Sequence, residues 1–365
     1  MENLTHTLTG LAVSQTSVGR KTPGGPLLLA IAANAPDLEI LSGNPTSLHY
    51  FYYHRGITHS LPGAVGLALC FSLVAWGWGR TRGREASWLA CFWSSLAALL
   101  SHLVLDYVNS YGLRPWLPFS GRWVYGDLVF IVDPVFWAVL GLGVYFATGA
   151  KGPWKWVWVA LAPIFTLACA AGGYLGGGFL WFVWAAVLGF ATWGYRRVRS
   201  SSRALAWAVI VLVAYVGLLG VSRRLTQERA ERLAEQEPRL LRLNPPEVLP
   251  SLGNPWTWQV FWKGQDEIGV ASLTPWDRGR PEIRYYRRNL RDPLVRKVLE
   301  SCPGRVTAYF SRFSVYDVVS DQGRPEVVWR DLRFNLGGDS GFGMYRFDPA
   351  APDPAGAVFP CPAVE

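Results

Sequence analysis

Six apolar runs follow one another between residues 63 and 221, and they constrain the fold more than any other feature of this chain. A helix needs about 20 mostly apolar residues to cross a bilayer. Buried core helices of a soluble protein could supply one or two such segments, but not six in succession. The runs therefore predict a polytopic α-helical membrane protein with about six membrane helices. They cover 63–79, 86–105, 128–148, 154–173, 177–194 and 204–221.

Composition divides the chain into regions. Charged residues make up 17% of the sequence, against about 25% in a typical soluble protein, and the charge returns after residue 221. We predict a membrane-embedded helical domain over 1–221 that carries the chemistry. A polar helix and proline-rich linker over 222–250 should lead to a small β-rich extramembrane domain over 251–365.

Basic residues predict the orientation in the membrane. The loops after the first, third and fifth runs contain RTRGRE, Lys151 with Lys155, and YRRVRSSSR. Because short cytoplasmic loops are rich in Lys and Arg, these loops should face the cytoplasm. The stretch YYHRGITHSL (52–61) and the C-terminal domain should then lie outside. This topology also explains the net charge of +9, and no nucleic-acid-binding motif accompanies that charge.

Residues 4–18 and 25–41 should form an N-terminal helical hairpin ahead of the runs. Arg20 and Lys21 lie between the two stretches, so the tip of the hairpin should point to the cytoplasm. His6 and Asp37 would then lie at the opposite, outer end. The first ten residues, MENLTHTLTG, lack the basic start and apolar core of a cleaved signal peptide.

Every histidine lies in the first 102 residues, at positions 6, 49, 54, 59 and 102. His102 and Asp106 are four residues apart in a strongly helical run, which places both side chains on one helix face. A carboxylate inside a membrane helix is costly unless it is paired or coordinated. The pair therefore either coordinates a cation or forms an internal hydrogen bond that fixes helix packing.

The hairpin, the HRG segment and the outer end of the second run should converge. This brings His6, Asp37, His54 and His59 toward His102 and Asp106. Neutral imidazoles and carboxylates suit Zn²⁺, with Mn²⁺ or iron as alternatives. More than four ligands would be explained by two adjacent cations.

The sequence gives a separate prediction for each of three further residues: His49, Asp127 and Asp133. We expect His49 to be an interface residue, because its neighbours are tyrosines. Asp127 should be exposed. Asp133 precedes a proline inside an apolar run, and it is a ligand, an orienting partner of a histidine, or a cap for the interrupted helix.

Several motifs of this chain resemble those of the YdjM-like bacterial membrane-bound, metal-dependent hydrolases. They are THTLTG, APDLE, HRGITHS, and HLVLDYVNSYG followed by DLVFIVDP. The likeness covers about residues 1–137 and preserves motif order. A more distant similarity connects the histidine pattern with zinc-dependent phospholipase C and P1 nuclease. The resemblance implies location in the bacterial cytoplasmic membrane and one or two bound metal ions. The ligands it implies are His6, Asp37, His59, His102 and Asp106, with His54 as the first histidine of the HRG motif.

These features lead to a hypothesis of metal-dependent hydrolysis. A divalent metal lowers the pKa of a bound water to about 7 and polarises a phosphoryl or carbonyl oxygen. Asp37 or Asp133 would accept the proton of that water, and Arg55 would hold an anionic group. A site at the membrane edge favours a lipid or lipid-linked ester or phosphoester as substrate. The alternatives are a non-catalytic membrane protein with a structural His/Asp or metal cluster, and a metal transporter.

The C-terminal region reads as short strands separated by turns, which predicts a small antiparallel β domain. Trp256, Trp258, Val260 and Trp262 should share one face of a strand. A disulfide between Cys302 and Cys361 would agree with an extracytoplasmic location. GGDSGFG resembles the string around a protease nucleophile, but this domain contains no histidine to activate Ser340, so we expect a glycine-rich turn. The predicted strands lie within 256–262, 267–273, 282–288, 305–319, 325–334 and 342–348.

Overall fold

The computed structural model describes most of the chain outside residues 149–200. The described residues are 1–42, 44, 46–148, 185, 189, 193, 201–251, 254–277, 279–321, 323–338, 340–350 and 361. The predicted membrane run over 154–173 lies outside them. The run over 177–194 also lies outside them, apart from the three isolated positions 185, 189 and 193.

The described elements are mainly helical in the first half and mixed in the second. The α-helices are α1 (Asn3–Ser14), α2 (Gly25–Asn34), α3 (Leu48–Tyr53), α4 (Leu61–Thr81), α5 (Trp88–Tyr107), α6 (Pro134–Thr148), α7 (Ser201–Gln236), α8 (Pro293–Glu300) and α9 (Cys302–Phe310). The strands are β1 (Glu247–Pro250), β2 (Trp258–Lys263), β3 (Glu267–Leu273), β4 (Arg284–Arg287), β5 (Ser314–Asp321), β6 (Arg324–Asp331) and β7 (Met344–Phe347). Short 3₁₀ helices cover Gly19–Lys21, Ala35–Ser42, Ile57–His59 and Leu240–Arg242.

The chain divides into two compact units. The first comprises Met1–Asp37, Ile57–Arg223 and Leu249–Thr257. The second comprises Leu38–Gly56, Arg224–Val248 and Trp258–Glu365. The segment Leu38–Gly56 therefore groups with the C-terminal β-rich unit, although it lies between two parts of the helical unit in sequence.

Within the described residues, three helices are long and apolar enough to cross a membrane: α4, α5 and α7. They fall on the predicted runs 63–79, 86–105 and 204–221, and α7 continues through the polar residues to Gln236. The expected count of about six spans is not supported. The predicted run over 128–148 yields the shorter helix α6, which starts at Pro134 because Asp133 accepts the Val135 N–H at 2.8 Å and proline is well suited to the first turn.

The N-terminal hairpin forms as α1 and α2, and small residues allow the two helices to pack closely. A β-carbon added at Gly10 of α1 would overlap the Leu29 carbonyl of α2. Asn34 at the end of α2 donates to the Thr7 hydroxyl of α1 at 2.9 Å. These contacts fix the hairpin that carries His6 and positions the chain just before Asp37.

Gly10→Ala is expected to destabilise the protein by about 1–3 kcal/mol, because the added methyl group overpacks the α1–α2 contact. The matched control is Gly66→Ala on α4, where an added β-carbon has no described atom within 4 Å. The control should be neutral or stabilising by up to about 1 kcal/mol through helix propensity. Thermal unfolding in detergent measures both, and equal midpoints for the two variants would contradict this packing.

α4 and α5 form an antiparallel pair with a core of small and aliphatic side chains. Ala64, Ala68, Leu99 and Leu103 are at most 4% exposed and share one cluster with Ala35. The alanines bring the two backbones close together, as small residues commonly do in membrane helix pairs. This packing places the last turns of α5 beside the end of the hairpin.

The described residues contain two sheets, in the orders β1-β2-β3-β4 and β5-β6-β7. The pairs β2–β3, β3–β4, β5–β6 and β6–β7 are antiparallel. The antiparallel β prediction is confirmed, and Trp258, Val260 and Trp262 are fully buried on β2. Trp256 lies before the strand. Phe51 packs on Phe310 and Trp329 with ring centroids 4.9 and 5.3 Å apart, which explains why the segment 38–56 belongs to this unit.

Part of the strand prediction over 305–319 is wrong, because residues 302–310 form helix α9. Ser301 caps this helix by accepting the Gly304 N–H at 3.2 Å, and Pro303 occupies its first turn. Both features are helix-start signals. A disulfide joins Cys302 to Cys361.

Candidate metal centre

Four buried side chains of the first unit converge on one point. Each offers one ligand atom, and these atoms lie within 4.8 Å of one another. Three short segments supply them: the 3₁₀ helix after α2, the 3₁₀ helix before α4, and the last turns of α5. The four side chains are those of Asp37, His59, His102 and Asp106.

The distances between these atoms fit a small four-coordinate ion. The Nε2 atoms of His59 and His102 are 3.1 Å apart. Asp106 Oδ2 lies 3.5 Å from His59 Nε2 and 3.3 Å from His102 Nε2. Asp37 Oδ1 lies 3.3 Å and 3.7 Å from the same two nitrogens. Ligands at 2.0–2.1 Å from a tetrahedral zinc ion are about 3.3 Å apart, so the group has the dimensions of such a site.

In His102 and His59, the ring nitrogen that faces away from the group has a hydrogen-bond partner. These partners favour a neutral ring with its lone pair on Nε2, which is the form that binds a metal. His102 Nδ1 lies 2.7 Å from the Ala33 carbonyl, an acceptor, so Nδ1–H donates and the neutral ring has its lone pair on Nε2. Thr58 donates to the Pro36 carbonyl at 3.0 Å, and its oxygen can accept from His59 Nδ1 at 3.3 Å. Such outer partners fix the tautomer of metal-binding histidines.

A cation at this point would resolve an otherwise unfavourable arrangement. Two imidazole lone pairs and two carboxylate oxygens face one another in a region that excludes water, and a buried charge is costly unless paired or coordinated. Asp37 is 7% exposed, and His59, His102 and Asp106 have no exposed surface. The donor set therefore fits a divalent metal ion.

His6 lies beside this group rather than within it. Its ring stacks on His102 with centroids 3.7 Å apart, and its Nε2 lies 3.6 Å from Asp106 Oδ1. Asp106 therefore faces the four-residue group through Oδ2 and faces His6 through Oδ1. The Met1 amino group and the Asn109 amide also contact Asp106 Oδ1.

Burial and neighbouring groups shift the pKa of His6 and of Asp37. Burial lowers the pKa of His6 to about 3, so its ring is neutral at pH 7. Burial acts to raise the pKa of Asp37, but its contacts with the His59 and His102 rings outweigh burial, so this pKa lies below its usual range.

The structure does not bring every predicted site residue into the group. His54 and Arg55 belong to the second unit; the His54 ring stacks on Tyr50 with centroids 4.4 Å apart. Asp133 accepts a hydrogen bond from the Tyr215 hydroxyl at 2.9 Å and caps α6. A helix cap was one of the three roles that the sequence left open for Asp133. Asp127, expected to be exposed, is 2% exposed, because residues 126–129 pair with the end of α5.

Sequence reasoning missed Asn109, which is fully buried and orients Asp106. Its amide donates to Asp106 Oδ1 at 3.3 Å, and its own oxygen accepts the Tyr111 N–H at 2.8 Å. The spacing of three residues from Asp106, at the end of a helix, is a signal that could have identified it. The Ala33 carbonyl, which orients His102, has no such signal because every residue carries one.

Asn109→Ala is expected to weaken metal binding about 10- to 100-fold, the usual effect of removing a group that orients a ligand. Ser101→Ala is the matched control on the same helix, because the Ser101 hydroxyl bonds to the Ala98 carbonyl of its own helix. Competition with a zinc chelator would measure both affinities. Equal affinities would contradict the assigned role of Asn109.

The family match covers the part of the chain that supplies the four ligand residues. Residues 1–179 match the YdjM inner membrane protein family. This match contains all four residues of the group, so the resemblance seen in the motifs is confirmed at the level of the family. The family is one of inner membrane proteins, and the described residues of this chain contain three helices apolar and long enough to span a membrane.

One curated relative is the Bacillus subtilis protein YfhP, described as uncharacterized. It is 25% identical to this chain over 162 residues, which cover 42% of this chain and 48% of YfhP. The alignment thus spans about half the length of that relative. No solved structure gives a significant match to the chain. Hydrolase activity and likeness to phospholipase C or P1 nuclease stay predictions.

Proposed function

We propose that the YdjM-family region is a membrane-bound, metal-dependent hydrolase of an ester or phosphoester. The observation that carries the proposal is the buried group of two imidazole nitrogens and two carboxylate oxygens at tetrahedral spacing. Structural zinc sites are usually rich in cysteine thiolates, whereas His and carboxylate ligands are typical of hydrolytic sites. If His59, His102 and Asp106 held the ion, Zn²⁺ or alternatively Mn²⁺, its fourth position would be open to a water, which the ion would activate while polarising the reacting oxygen.

The residues of this chain would perform the remaining tasks. In that arrangement Asp37, the most exposed member of the group at 7%, would lie beside the water and accept its proton instead of completing the ligand set. Asp106 would hold its carboxylate in place through Asn109. Asp133 as a base and Arg55 as an anion-binding group stay further predictions of the same hypothesis.

A lipid or lipid-linked substrate would be consistent with an apolar groove on another face of α5 from the one that carries His102 and Asp106. A groove of about 590 Å³ is lined there by Val104, Tyr107, Trp116, Arg122 and further apolar residues. Trp116 is 52% exposed. Such a groove offers apolar walls and one cationic side chain, which together suit an amphipathic anionic molecule.

Activity of the purified, metal-loaded chain tests this proposal. Wild type should hydrolyse at least one member of a panel containing a phosphodiester, a carboxylic ester and a phospholipid. The double variant His102→Ala/Asp106→Ala should lose the activity, and His49→Ala should retain it. Absence of turnover by metal-loaded wild type across the panel would contradict the proposal, as would turnover by the double variant.

A non-catalytic membrane protein with a structural metal centre is the second candidate, and the burial of the group favours it. Three of the four ligands have no exposed surface, and closed sites are typical of structural metals. Both candidates predict that metal stabilises the fold. Metal-dependent stability without turnover would support the structural candidate.

We further propose that the site and the C-terminal unit face the extracytoplasmic side. Two features support this placement: the basic residues at the opposite end of α4 and α5, and the disulfide between Cys302 and Cys361. Labelling of single cysteines introduced at Gly83 and at Asp277 by a membrane-impermeant reagent tests it. In whole cells, Asp277→Cys should react and Gly83→Cys should not; the reverse would contradict the orientation.

A further inference from the structure

A basic pocket lies at the opposite end of α5 from the candidate metal centre. It has a volume of about 780 Å³ and lies between the tip of the hairpin, the end of α4 and the loop before α5. Four cationic side chains line it, together with the carboxylate of Glu85. The cationic residues are Arg20, Lys21, Arg80 and Arg84. Because α5 rises about 1.5 Å per residue, the pocket and His102 are separated by about 20 Å along this helix.

The walls of this pocket are held in place by close packing. The hydroxyls of Thr22 and Ser94 are 2.7 Å apart. A β-carbon at Gly79 would lie 2.6 Å from Pro23, and one at Gly24 would overlap the Trp78 ring. The cations therefore lie on a preorganised surface, and the Arg80 guanidinium is further positioned over the Trp76 ring at 5.0 Å from its centroid.

A separate apolar groove lies along α2 and α4, and it shares no lining residue with the basic pocket. It has a volume of about 320 Å³ and begins at Gly24, the residue after Pro23 of the pocket. Leu27, Ile31 and Val74 line the groove and are 69%, 49% and 61% exposed. Because α4 is a candidate membrane span, this exposed apolar surface faces the acyl chains of the bilayer.

We propose that the pocket and groove together bind one anionic phospholipid of the bilayer. The headgroup phosphate would lie among the cationic side chains, where arginine can form paired hydrogen bonds to phosphate oxygens. An acyl chain would lie in the groove. Basic pockets at the ends of membrane helices are suited to anionic headgroups, and the adjoining groove selects a lipid over a free anion. This site is independent of the metal centre and of the proposed hydrolysis.

Native mass spectrometry of the full chain in detergent tests the proposal, with dioleoyl phosphatidylglycerol and dioleoyl phosphatidylcholine as probes. The anionic lipid should bind at least about tenfold more tightly. Arg80→Gln and Arg84→Gln should each weaken its binding about fivefold, since a basic residue near anionic lipid contributes about that factor. Arg296→Gln on α8 is the control; Arg296 lines neither the pocket nor the groove and its substitution should change binding less than twofold.

The groove is tested separately by Val74→Trp, which should fill it and weaken binding of the same lipid. Val65→Trp, on α4 but outside the groove lining, should not weaken binding. A thermal unfolding scan confirms that each variant is folded, and the two pairs of variants test the site independently. Equal binding of the two lipids would overturn the proposal, as would equal effects of Arg80→Gln and Arg296→Gln. Displacement of the lipid by 10-fold excess inorganic phosphate would instead indicate a free-anion site and also overturn it.

Discussion

His59→Ala is expected to weaken zinc binding by roughly a hundredfold. Structural zinc binding is worth about 10–16 kcal/mol, so each of four ligands accounts for about 3 kcal/mol on average, which corresponds to roughly two powers of ten in the dissociation constant. His59 Nε2 lies within 3.5 Å of ligand atoms on Asp37, His102 and Asp106, so the lost nitrogen has a central place in the group. Competition with a chromophoric chelator measures the effect.

His49→Ala is the matched control for this variant. It removes the same side chain from the same part of the sequence, but His49 belongs to the second unit and its ring packs on Tyr53 with centroids 4.4 Å apart. Zinc affinity should be unchanged within a factor of two. If both variants bound zinc as wild type does, the coordination assigned to His59 would be wrong.

Removal of the metal is expected to lower the thermal midpoint by about 10 °C. Without a metal ion, two carboxylates and two imidazoles face one another in a buried site, and the Met1 amino group contacts Asp106 through Oδ1, the oxygen that faces away from the other ligand atoms. Loss of one partner of a buried charge pair typically costs about 3–5 kcal/mol, and 1 kcal/mol corresponds to about 2–4 °C for a domain of this size. Unfolding in detergent should be compared with and without a strong chelator, followed by re-addition of zinc.

The double variant His102→Ala/Asp106→Ala is the control for direct effects of the chelator. Its midpoint should not respond to chelation, because it has lost two ligands. A wild-type midpoint that is also unchanged by chelation, in protein shown to contain metal beforehand, would contradict a stabilising role for the ion.

Local spacing was sufficient to predict one half of the site. His102 and Asp106 share a face of α5 because a helix repeats every 3.6 residues, and the structure places them 3.3 Å apart. The order of the hairpin and the HRG segment also indicated that Asp37 and His59 lie nearby. Their exact approach depends on α2 packing against α5, which is a tertiary contact with no periodic signature in the sequence.

His54 shows where local reasoning fails. Its neighbour Arg55 adopts a left-handed backbone conformation, with φ of 57°, which a non-glycine residue seldom adopts. The chain therefore changes direction between His54 and His59, and the two histidines belong to different units. The spacing of five residues between them gives no sign of this change of direction.

Hydrophobicity identified α4, α5 and the apolar part of α7, but it could not predict where a run becomes helical. Residues 128 and 129 of the third run donate to the Val108 carbonyl and so pair with the end of α5. Helix α6 begins only at Pro134. Apolar content alone does not distinguish a buried extended segment from a membrane helix, so the run over 128–148 was predicted too long.

The metal content of detergent-purified wild-type protein, measured by elemental mass spectrometry after growth with added zinc and manganese, tests the central claim most directly. We expect about one ion per chain in the wild type and less than a tenth of that in a folded His102→Ala/Asp106→Ala variant. Absence of metal from both proteins would contradict the metal centre and leave the four side chains as a structural hydrogen-bonded cluster.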